Sequence, residues 1–383
     1  MPINYLQLQP QITEYCQHAR DRILDRPQKI NTAISLLQQF AQEYAAGLHT
    51  DLSVQLAQSA VNRTALPGQE AVNRSYPPAQ NRAYCLLASD GSQIISSHHD
   101  SLPIALINTS TVFLEPGSGM APEISTQTEF IRGQDGSITV DFVPEQGINI
   151  IRDVREVQVL ANFSYQGSCP LIALGDGPLE LFQEPRSGAE NQALFNEYLL
   201  ALSALASQGR IAAGYTDKPR ADLVINMLAW VYRADAACDI SGITDADIFS
   251  QSLAPGERSA IFSLLSPSSA AYRNEIGLHF FYLQVGTENQ PWVVRVEITA
   301  STAFLPEMVA LLQRALLDQC ALMSARPYPY ILHRAHEEAV VHFDEREKLS
   351  DMLVHTLQNM GVQSPHKSNK LDAKELGKRT RFK

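Results

Sequence analysis

The feature that most constrains the fold of this chain is a short apolar run that ends in a carboxylate. Residues 84–88 are aromatic, aliphatic or cysteine, and Ser89, Asp90 and Gly91 follow directly. The run is too short for a buried helix, so it predicts an interior β-strand, with Gly91 turning the chain into a hairpin through residues 93–96. Taken alone, Asp-Gly is a common turn signal. A carboxylate at the end of a buried strand is nevertheless costly to desolvate unless it has partners, and a divalent cation is one such partner.

A second segment repeats this pattern. Residues 169–175 form an apolar run that leads directly into Asp176 and Gly177. Two strands that each end in Asp-Gly are harder to explain as isolated turns than one. We therefore expect the two carboxylates to serve a common purpose.

The overall composition excludes a protein that coats nucleic acid by bulk electrostatics. The 383 residues are 45% hydrophobic and carry a net charge of -11, which predicts a globular core of one or two domains. A local basic patch remains compatible with this charge. Lys218 and Arg220 lie in a polar loop after a predicted strand near residue 209. Phosphate contacts and simple solvation are equal alternatives for these two cations.

The five cysteines predict reduced core thiols. They are scattered, odd in number and without Cys-x-x-Cys spacing, which favours thiols over a disulfide framework or a zinc site. The sequence has no apolar span of the roughly 18 residues that a membrane helix needs, and its first residues lack the pattern of a signal peptide. We therefore expect a cytoplasmic protein that does not associate with a membrane.

Helical periodicity begins near the N-terminus. Residues 6–56 predict two or three amphipathic helices, and residues 60–82, with their prolines and glycine, predict a linker. Further helices are predicted at residues 148–163, 191–207, 221–232 and 305–323, with a short helix after Thr244 and a last one that carries His333 and His336. Glu156 lies in the middle of the helix at 148–163. A solvated surface glutamate is its plain alternative.

The remaining segments predict strands and irregular chain. Residues 102–114 predict a third strand, and residues 272–284 and 292–299 predict a half-exposed antiparallel pair. Residues 115–147 predict turns with an edge hairpin at 130–142, and residues 364–383 predict a disordered basic tail. The predicted organisation is a helical extension and linker at 1–79, a main domain at 80–345, and a helix end with the tail at 346–383.

Four side chains form an oxygen-rich set of metal ligands. Asp90, Glu156, Asp176 and His336 are the donors that Mg²⁺ or Mn²⁺ prefers, and the single imidazole favours Mn²⁺. Acids that converge at strand ends of an α/β chain match the ribonuclease H-like plan, a mixed sheet flanked by helices. In that plan two metal ions act on a scissile phosphate.

The order of the motifs resembles the NurA domain family. The resemblance covers roughly residues 80–345, and each motif is short while their order is specific. The motifs are Ala88-Ser-Asp-Gly-Ser92, Arg152-x-x-Arg-Glu156, Ala173-Leu-Gly-Asp-Gly-Pro178, Thr244-Asp245, Gly256-Glu-Arg-Ser259, Arg295-Val-Glu297, Tyr328-Pro329 and Ala335-His336.

The resemblance implies a function and a set of site residues. Members of the family are 5′ to 3′ DNA nucleases that partner a HerA-type hexameric ATPase in end resection. Carried over by motif, Asp90, Glu156, Asp176, Tyr328 and His336 are the expected catalytic residues, with Tyr328 eight positions before His336. His333 lacks such support and is expected to be a surface residue.

Two alternatives follow from these expectations. The chain is either a nuclease or a catalytically weak DNA-binding adaptor that serves a HerA-like ATPase. The resemblance and the apolar faces of the N-terminal helices predict a homodimer, whereas helices that pack back onto their own domain predict a monomer.

Overall fold

The computed structural model describes residues 3–80, 82–95, 104–131, 145–181, 189–234, 239–323 and 326–362. The helices in these residues are α1 (Tyr5–Ala45), α2 (Leu52–Ala57), α3 (Glu145–Asn162), α4 (Ala189–Ser207), α5 (Leu223–Val231), α6 (Asp245–Ser252), α7 (Ala300–Ala303), α8 (Pro306–Leu322), α9 (Tyr330–Ala339) and α10 (Phe343–Asn359). The strands are β1 (Thr64–Pro67), β2 (Cys85–Ile95), β3 (Ala105–Leu114), β4 (Glu123–Phe130), β5 (Leu171–Asp176), β6 (Ile211–Thr216), β7 (Phe262–Leu265), β8 (Leu278–Gln284) and β9 (Val293–Thr299). The predicted basic tail, Cys238 and most of the hairpin predicted at 130–142 lie outside the described residues.

The predicted α/β class is confirmed, because the strands form a nine-stranded mixed sheet flanked by helices. The chain divides into two compact units. The first unit comprises Met1–Asn81, Gly177–Glu180 and Gly214–Pro327, and the second comprises Arg82–Asp176, Leu181–Ala213 and Tyr328–Lys383. The domain boundaries predicted after residues 79 and 345 stay predictions.

In the second unit, the strands run in the order β5-β2-β3-β4. β2 pairs with β5 in parallel, from Cys85 opposite Leu171 to Ser89 opposite Gly175. β2 pairs with β3 antiparallel along its length, and β3 pairs with β4 in the same way. The parallel pairing therefore stops at Ser89, one residue before Asp90.

Two helices of the second unit cover β2 from opposite sides. The Ser89 hydroxyl donates to the backbone carbonyl of Glu156 in α3 at 2.8 Å, whereas the Ser92 and Ser110 hydroxyls donate to backbone carbonyls of α9. Successive strand residues point to opposite faces, so Ser89 and Gly91 face α3 while Asp90 and Ser92 face α9. On α3, the apolar residues Val154, Val157 and Leu160 are buried.

In the first unit, the strands β1-β7-β8-β9 follow one another as antiparallel neighbours where their registers are defined. The predicted half-exposure of β8 and β9 is wrong, because every residue of both strands is buried. The alternating polar residues that suggested exposure satisfy each other instead. Arg295 and Glu297 form an ion pair at 2.8 Å inside the protein. A buried charge pair has the same sequence period as a solvated strand face.

The N-terminal part of the first unit has the two helices expected from its periodicity. α1 continues through Pro10 and Pro27, and its C-terminal half is buried at positions such as Ala33 and Phe40. Large apolar residues in its first half are exposed. They are Tyr5, Leu6, Ile12, Tyr15, Ile23 and Leu24.

Two strands lie where the sequence predicts irregular chain. β1 lies in the predicted linker and pairs Thr64 with Leu265 of β7. β4 lies among the predicted turns, and all but its last residue are exposed. Both strands depend on pairing with a distant segment, which local turn residues do not reveal.

Candidate active site

Asp90 lies within strand β2 and not at its end. β2 continues through Asp90 and Gly91 to Ile95, and Asp90 stands opposite Ser110 of β3. The predicted turn at Gly91 and the hairpin through residues 93–96 are therefore wrong, while the third strand predicted at 102–114 is confirmed as β3 of the same sheet. The side chain of Asp90 is 16% exposed. Its Oδ1 accepts a hydrogen bond from the Gly91 backbone N–H at 2.9 Å.

His336 contacts Asp90 directly. Nδ1 of His336 lies 2.7 Å from Oδ2 of Asp90, although the two residues are 246 positions apart in sequence. α9 is held against the strands because the amide of Asn108 donates to the Ala339 carbonyl at 2.9 Å and Ser110 donates to the Ala335 carbonyl. His336 is 63% exposed, so its imidazole contacts the largely buried Asp90 on one side and solvent on the other.

His333, one helical turn earlier, lies in a different setting. Its Nε2 lies 3.4 Å from Oε1 of Glu337 on the surface of α9, and its side chain is 41% exposed. The two histidines of α9 therefore differ in their surroundings, because His336 contacts Asp90 and His333 contacts Glu337.

Glu156 is largely buried on the face of β2 covered by α3. Its side chain is 15% exposed and its Oε1 lies 3.4 Å from Nε of Arg152. Burial raises the pKa of Glu156 well above its usual range, and the negative charges of Asp153, Asp90 and Asp176 raise it further, against the opposing charge of Arg152. The alternative of a solvated surface glutamate does not fit this environment.

Arg152, which begins the motif that contains Glu156, and its neighbour Asp153 were not predicted to belong to the site. Nη2 of Arg152 lies 3.0 Å from Oδ1 of Asp153. Burial disfavours the charged guanidinium, but the charges of Asp153, Glu156 and Asp90 outweigh it and raise the pKa of Arg152. Arg152 is thus the cation that balances this group of acids, and its position four residues before Glu156 on one helix face was the available signal.

Gly91 makes room for Glu156 and Arg152. A Cβ atom at position 91 would lie 2.7 Å from Oε1 of Glu156 and 2.7 Å from Cγ of Arg152. Real Cβ atoms essentially never approach other atoms so closely. Gly91 therefore lets the Glu156 carboxylate of α3 lie against β2 beside Asp90. The sequence analysis interpreted Gly91 as a turn residue and did not predict this role.

Asp176 ends strand β5 and is exposed. The parallel register pairs Ser89 of β2 with Gly175 of β5. The next residue of each strand, Asp90 and Asp176, therefore lies at the same level along the two neighbouring strands. The charge of Asp176 also contributes to the raised pKa of Glu156. Asp176 is followed by Gly177 with a φ of 102°, a conformation that favours glycine.

The other three predicted residues lie in loops. Tyr328 is half-buried two residues before α9, which begins at Tyr330. Lys218 and Arg220 are exposed in the chain that follows β6 and belong to the first unit, whereas the five predicted catalytic residues belong to the second. The roles of Tyr328, Lys218 and Arg220 stay predictions.

The predicted metal ligands are coupled by charge but are not gathered into a tight ligand cage. Within the described ranges, the three-ligand group whose donor atoms all lie within 4.8 Å of one another is Cys85, Glu115 and Cys169, and not a set drawn from Asp90, Glu156, Asp176 and His336. The structure brings Asp90 and His336 into contact, and the charges of Asp90 and Asp176 both contribute to the raised pKa of Glu156.

Comparison with known proteins identifies the family. A comparison with curated protein sequences gives no significant match. Among solved structures, the NurA nuclease from Sulfolobus solfataricus has a similar fold, with a TM-score of 0.50 and 11% identity over 83% of this chain and 94% of that chain. The catalytic domain of human Endonuclease V matches with a TM-score of 0.29 and 16% identity, covering 81% of this chain and 98% of that chain. LC9-RNase H1 matches with a TM-score of 0.22 and 9% identity, covering 36% of this chain and 63% of that chain.

The last two TM-scores are too low to support a conclusion, so the fold rests on the first structure and on the strand arrangement above. The predicted mixed sheet flanked by helices is confirmed, and its fold is similar to that of the NurA nuclease. Residues 86–341 match the family model of the NurA domain, which is more than half of the chain. This chain therefore belongs to the NurA domain family.

Proposed function

We propose that this protein is a divalent-metal-dependent deoxyribonuclease that hydrolyses phosphodiester bonds in DNA end processing and repair. The observation that carries the proposal is the hydrogen-bonded pair of Asp90 and His336 beside the buried carboxylate of Glu156. Perturbed carboxylates next to an exposed imidazole are typical of catalytic sites. Membership of the NurA domain family supports the choice of DNA as substrate.

The donor chemistry of the site fits a hard divalent cation. Burial and neighbouring negative charges raise the pKa of Glu156, which means that these acids repel one another in the absence of a cation. Asp90, Glu156, Asp176 and His336 would hold Mn²⁺ or Mg²⁺, and the resemblance implies two ions. When bound, such ions supply positive charge at the scissile phosphate and activate a water molecule.

The protein's own side chains orient the reacting groups. Asp90 is fixed from both oxygens, by the Gly91 amide and by His336. When Nδ1 of His336 carries the proton that it shares with Asp90, Nε2 keeps a lone pair for a ligand bond or for a proton at the leaving oxygen. Tyr328 is assigned to orient the phosphate or the attacking water through its hydroxyl.

Several finer assignments follow from the same proposal. Lys218 and Arg220 contact DNA phosphates, and a HerA-like hexameric ATPase is the proposed protein partner. A second copy of the chain covers the exposed apolar residues of α1, giving a homodimer. The proposed location is the cytoplasm. Among the helices of the described residues, none is both long and apolar enough to span a bilayer.

A cleavage assay with labelled single-stranded and double-stranded DNA tests the proposal. With Mn²⁺, wild-type protein is expected to degrade DNA, and Asp90→Ala and Asp176→Ala are expected to fall to background. Asp344→Ala is the matched control, because Asp344 is an exposed acid of α10 in the same unit. Equal background cleavage by all four proteins would refute the nuclease, and retained DNA binding in that case would favour the adaptor.

A further inference from the structure

A second group of metal-ligating side chains lies in the same unit, away from the candidate active site. Sγ of Cys85, Sγ of Cys169 and a carboxylate oxygen of Glu115 all lie within 4.8 Å of one another. Cys85 is buried, Cys169 is half-buried and Glu115 is exposed, so one side of the group is open to solvent. The geometry points to a Zn²⁺ site formed by Cys85, Cys169 and Glu115.

The strand pairing explains why these three residues meet. Leu86 stands opposite Leu114 in the antiparallel pair β2-β3, so the register brings Glu115 opposite Cys85. On the other side, Cys85 stands opposite Leu171, and Cys169 precedes Leu171 by two residues. The loop that carries Cys169 is held beside the start of β2, because the Cys85 backbone N–H donates to the Pro170 carbonyl at 2.9 Å. Residues 84 positions apart thus become neighbours.

The distances suit the ion. Zn²⁺ binds thiolate sulfur at about 2.3 Å, so donor atoms around a tetrahedral ion lie roughly 3.7 Å apart. A group with donors within 4.8 Å needs side-chain adjustments of about 1 Å to reach that spacing. Two thiolates and one carboxylate, with water at the fourth position, select Zn²⁺ over the hard cations of the carboxylate site.

A tyrosine supports the thiols from outside the ligand group. The Tyr165 hydroxyl lies 3.3 Å from Sγ of Cys85 and donates to the backbone carbonyl of Cys169 at 2.8 Å. The Tyr165 ring packs against Phe113 at a centroid distance of 5.9 Å. Donors of this kind fix the ligands of a metal site and tune its affinity.

Gly167 allows the tyrosine to occupy this position. A Cβ atom at position 167 would lie 2.3 Å from the hydroxyl oxygen of Tyr165. The loop before β5 therefore folds its tyrosine back over a glycine and onto the cysteine that follows. This arrangement places a proton donor beside both sulfur-bearing residues.

Zn²⁺ bound by these residues would tie three separate segments together. They are the start of β2, the end of β3 and the loop before β5. A coordinated thiol is deprotonated, so Zn²⁺ binding by the two cysteines would release protons.

This site is separate from the carboxylates that bind the catalytic ions in the proposed function. Asp90 follows Cys85 by five residues on the same strand, which is about 16 Å along β2. Loss of Zn²⁺ is therefore expected to lower the melting temperature, while the residues of the candidate active site stay in place.

Zn²⁺ and Co²⁺ binding by the full chain tests the inference. An Asp90→Ala, Asp176→Ala double variant serves as background, because it removes two ligands of the other site. This protein is expected to retain one Zn²⁺ per chain after dialysis, and substitution by Co²⁺ is expected to give thiolate-to-cobalt charge-transfer absorption. In that background, Cys169→Ser and Glu115→Gln should lose most of the Zn²⁺. Tyr165→Phe should keep the absorption band and bind about 10- to 100-fold more weakly.

Matched controls keep the test independent of folding and of the nuclease proposal. Cys16→Ser alters an exposed thiol of α1 and should bind Zn²⁺ like the background protein. Circular dichroism spectra of each variant show whether it is folded. The inference is overturned by Co²⁺ without a thiolate band, by unchanged Zn²⁺ affinity in folded Cys169→Ser, or by a Cys85–Cys169 disulfide in protein that binds no Zn²⁺. None of these outcomes depends on DNA cleavage.

Discussion

Replacement of Gly91 by alanine should affect DNA cleavage more strongly than it affects the stability of the fold. The new Cβ would lie 2.7 Å from Oε1 of Glu156, whereas ordinary contacts begin at 3.4 Å. The carboxylate must therefore move by about 0.7 Å, the difference of these two distances. The Cγ of Arg152, also 2.7 Å away, must move similarly.

The expected effect on stability is small. Overpacking costs about 1–3 kcal/mol, while alanine in a strand is favoured over glycine by about 0.5–1 kcal/mol, which leaves about 0–2.5 kcal/mol. The nearest atom of Glu156 is at the end of a flexible side chain and can move, so we expect a destabilisation near the lower end of this range. The expected effect on catalysis is larger, because a misplacement of about 1 Å reduces rates about 100-fold. We expect kcat/KM for DNA cleavage with Mn²⁺ to fall by roughly 10- to 100-fold.

Gly175 provides the control for this measurement. It lies opposite Ser89 on the neighbouring strand, and a Cβ atom there would meet no atom within 4 Å. Gly175→Ala should keep its cleavage rate and its melting temperature. Wild-type kcat/KM in a folded Gly91→Ala protein would show that Glu156 does not act from this position.

Three further predictions concern individual side chains. His336→Ala should lose DNA cleavage while His333→Ala keeps it, with each melting temperature changed by no more than the equivalent of about 0.5 kcal/mol; equal activity would exclude His336 from the site. Asp245→Ala should lower the free energy of unfolding by about 3–5 kcal/mol, because the Val224 and Ile225 amides and the Tyr282 hydroxyl all donate to this buried carboxylate, whereas Tyr282→Phe should cost about 1 kcal/mol in denaturant titrations. Burial raises the pKa of Glu156 in the folded chain, so the stability contributed by its neutral form is present below the usual glutamate pKa and is lost as pH rises through the raised one. In EDTA, Glu156→Gln should therefore show a smaller fall in melting temperature with rising pH than wild type, and identical slopes would contradict the assignment.

Most helices and strands were predictable because their signals are local. The apolar spacing of α3 and the cap at Thr244 depend on residues within one or two turns, and Thr244 does precede α6, with its backbone N–H donating to Asp247 at 2.8 Å. β1 and β8 show the limit of this reasoning. The pairing of Thr64 with Leu265 joins segments 201 residues apart, and the full burial of β8 follows from packing and not from its own sequence.

The candidate site was predictable in its acids and its histidine, but not in what surrounds them. Motif order located Asp90 and His336, which the structure brings within 2.7 Å. Arg152 interacts with the acids of the site because its side chain extends from α3 toward β2. Cys85 and Cys169 lie close together because of the register between β2 and β5. Neither can be obtained from spacing along the chain, because both arise when separate elements pack together.

The dipeptides Asp90-Gly91 and Asp176-Gly177 have the same sequence but different backbone structures. Gly177 follows the last residue of β5 and has a φ of 102°, so there the glycine permits a turn. Gly91 remains in extended chain, because β3 continues beside β2 as far as the pairing of Ile95 with Ala105. Its missing side chain then opens the face of β2 toward α3, while Asp90 points to the opposite face and meets His336. The carboxylate of Glu156 can therefore lie close to β2, next to the strand position that carries Asp90, because position 91 has no side chain.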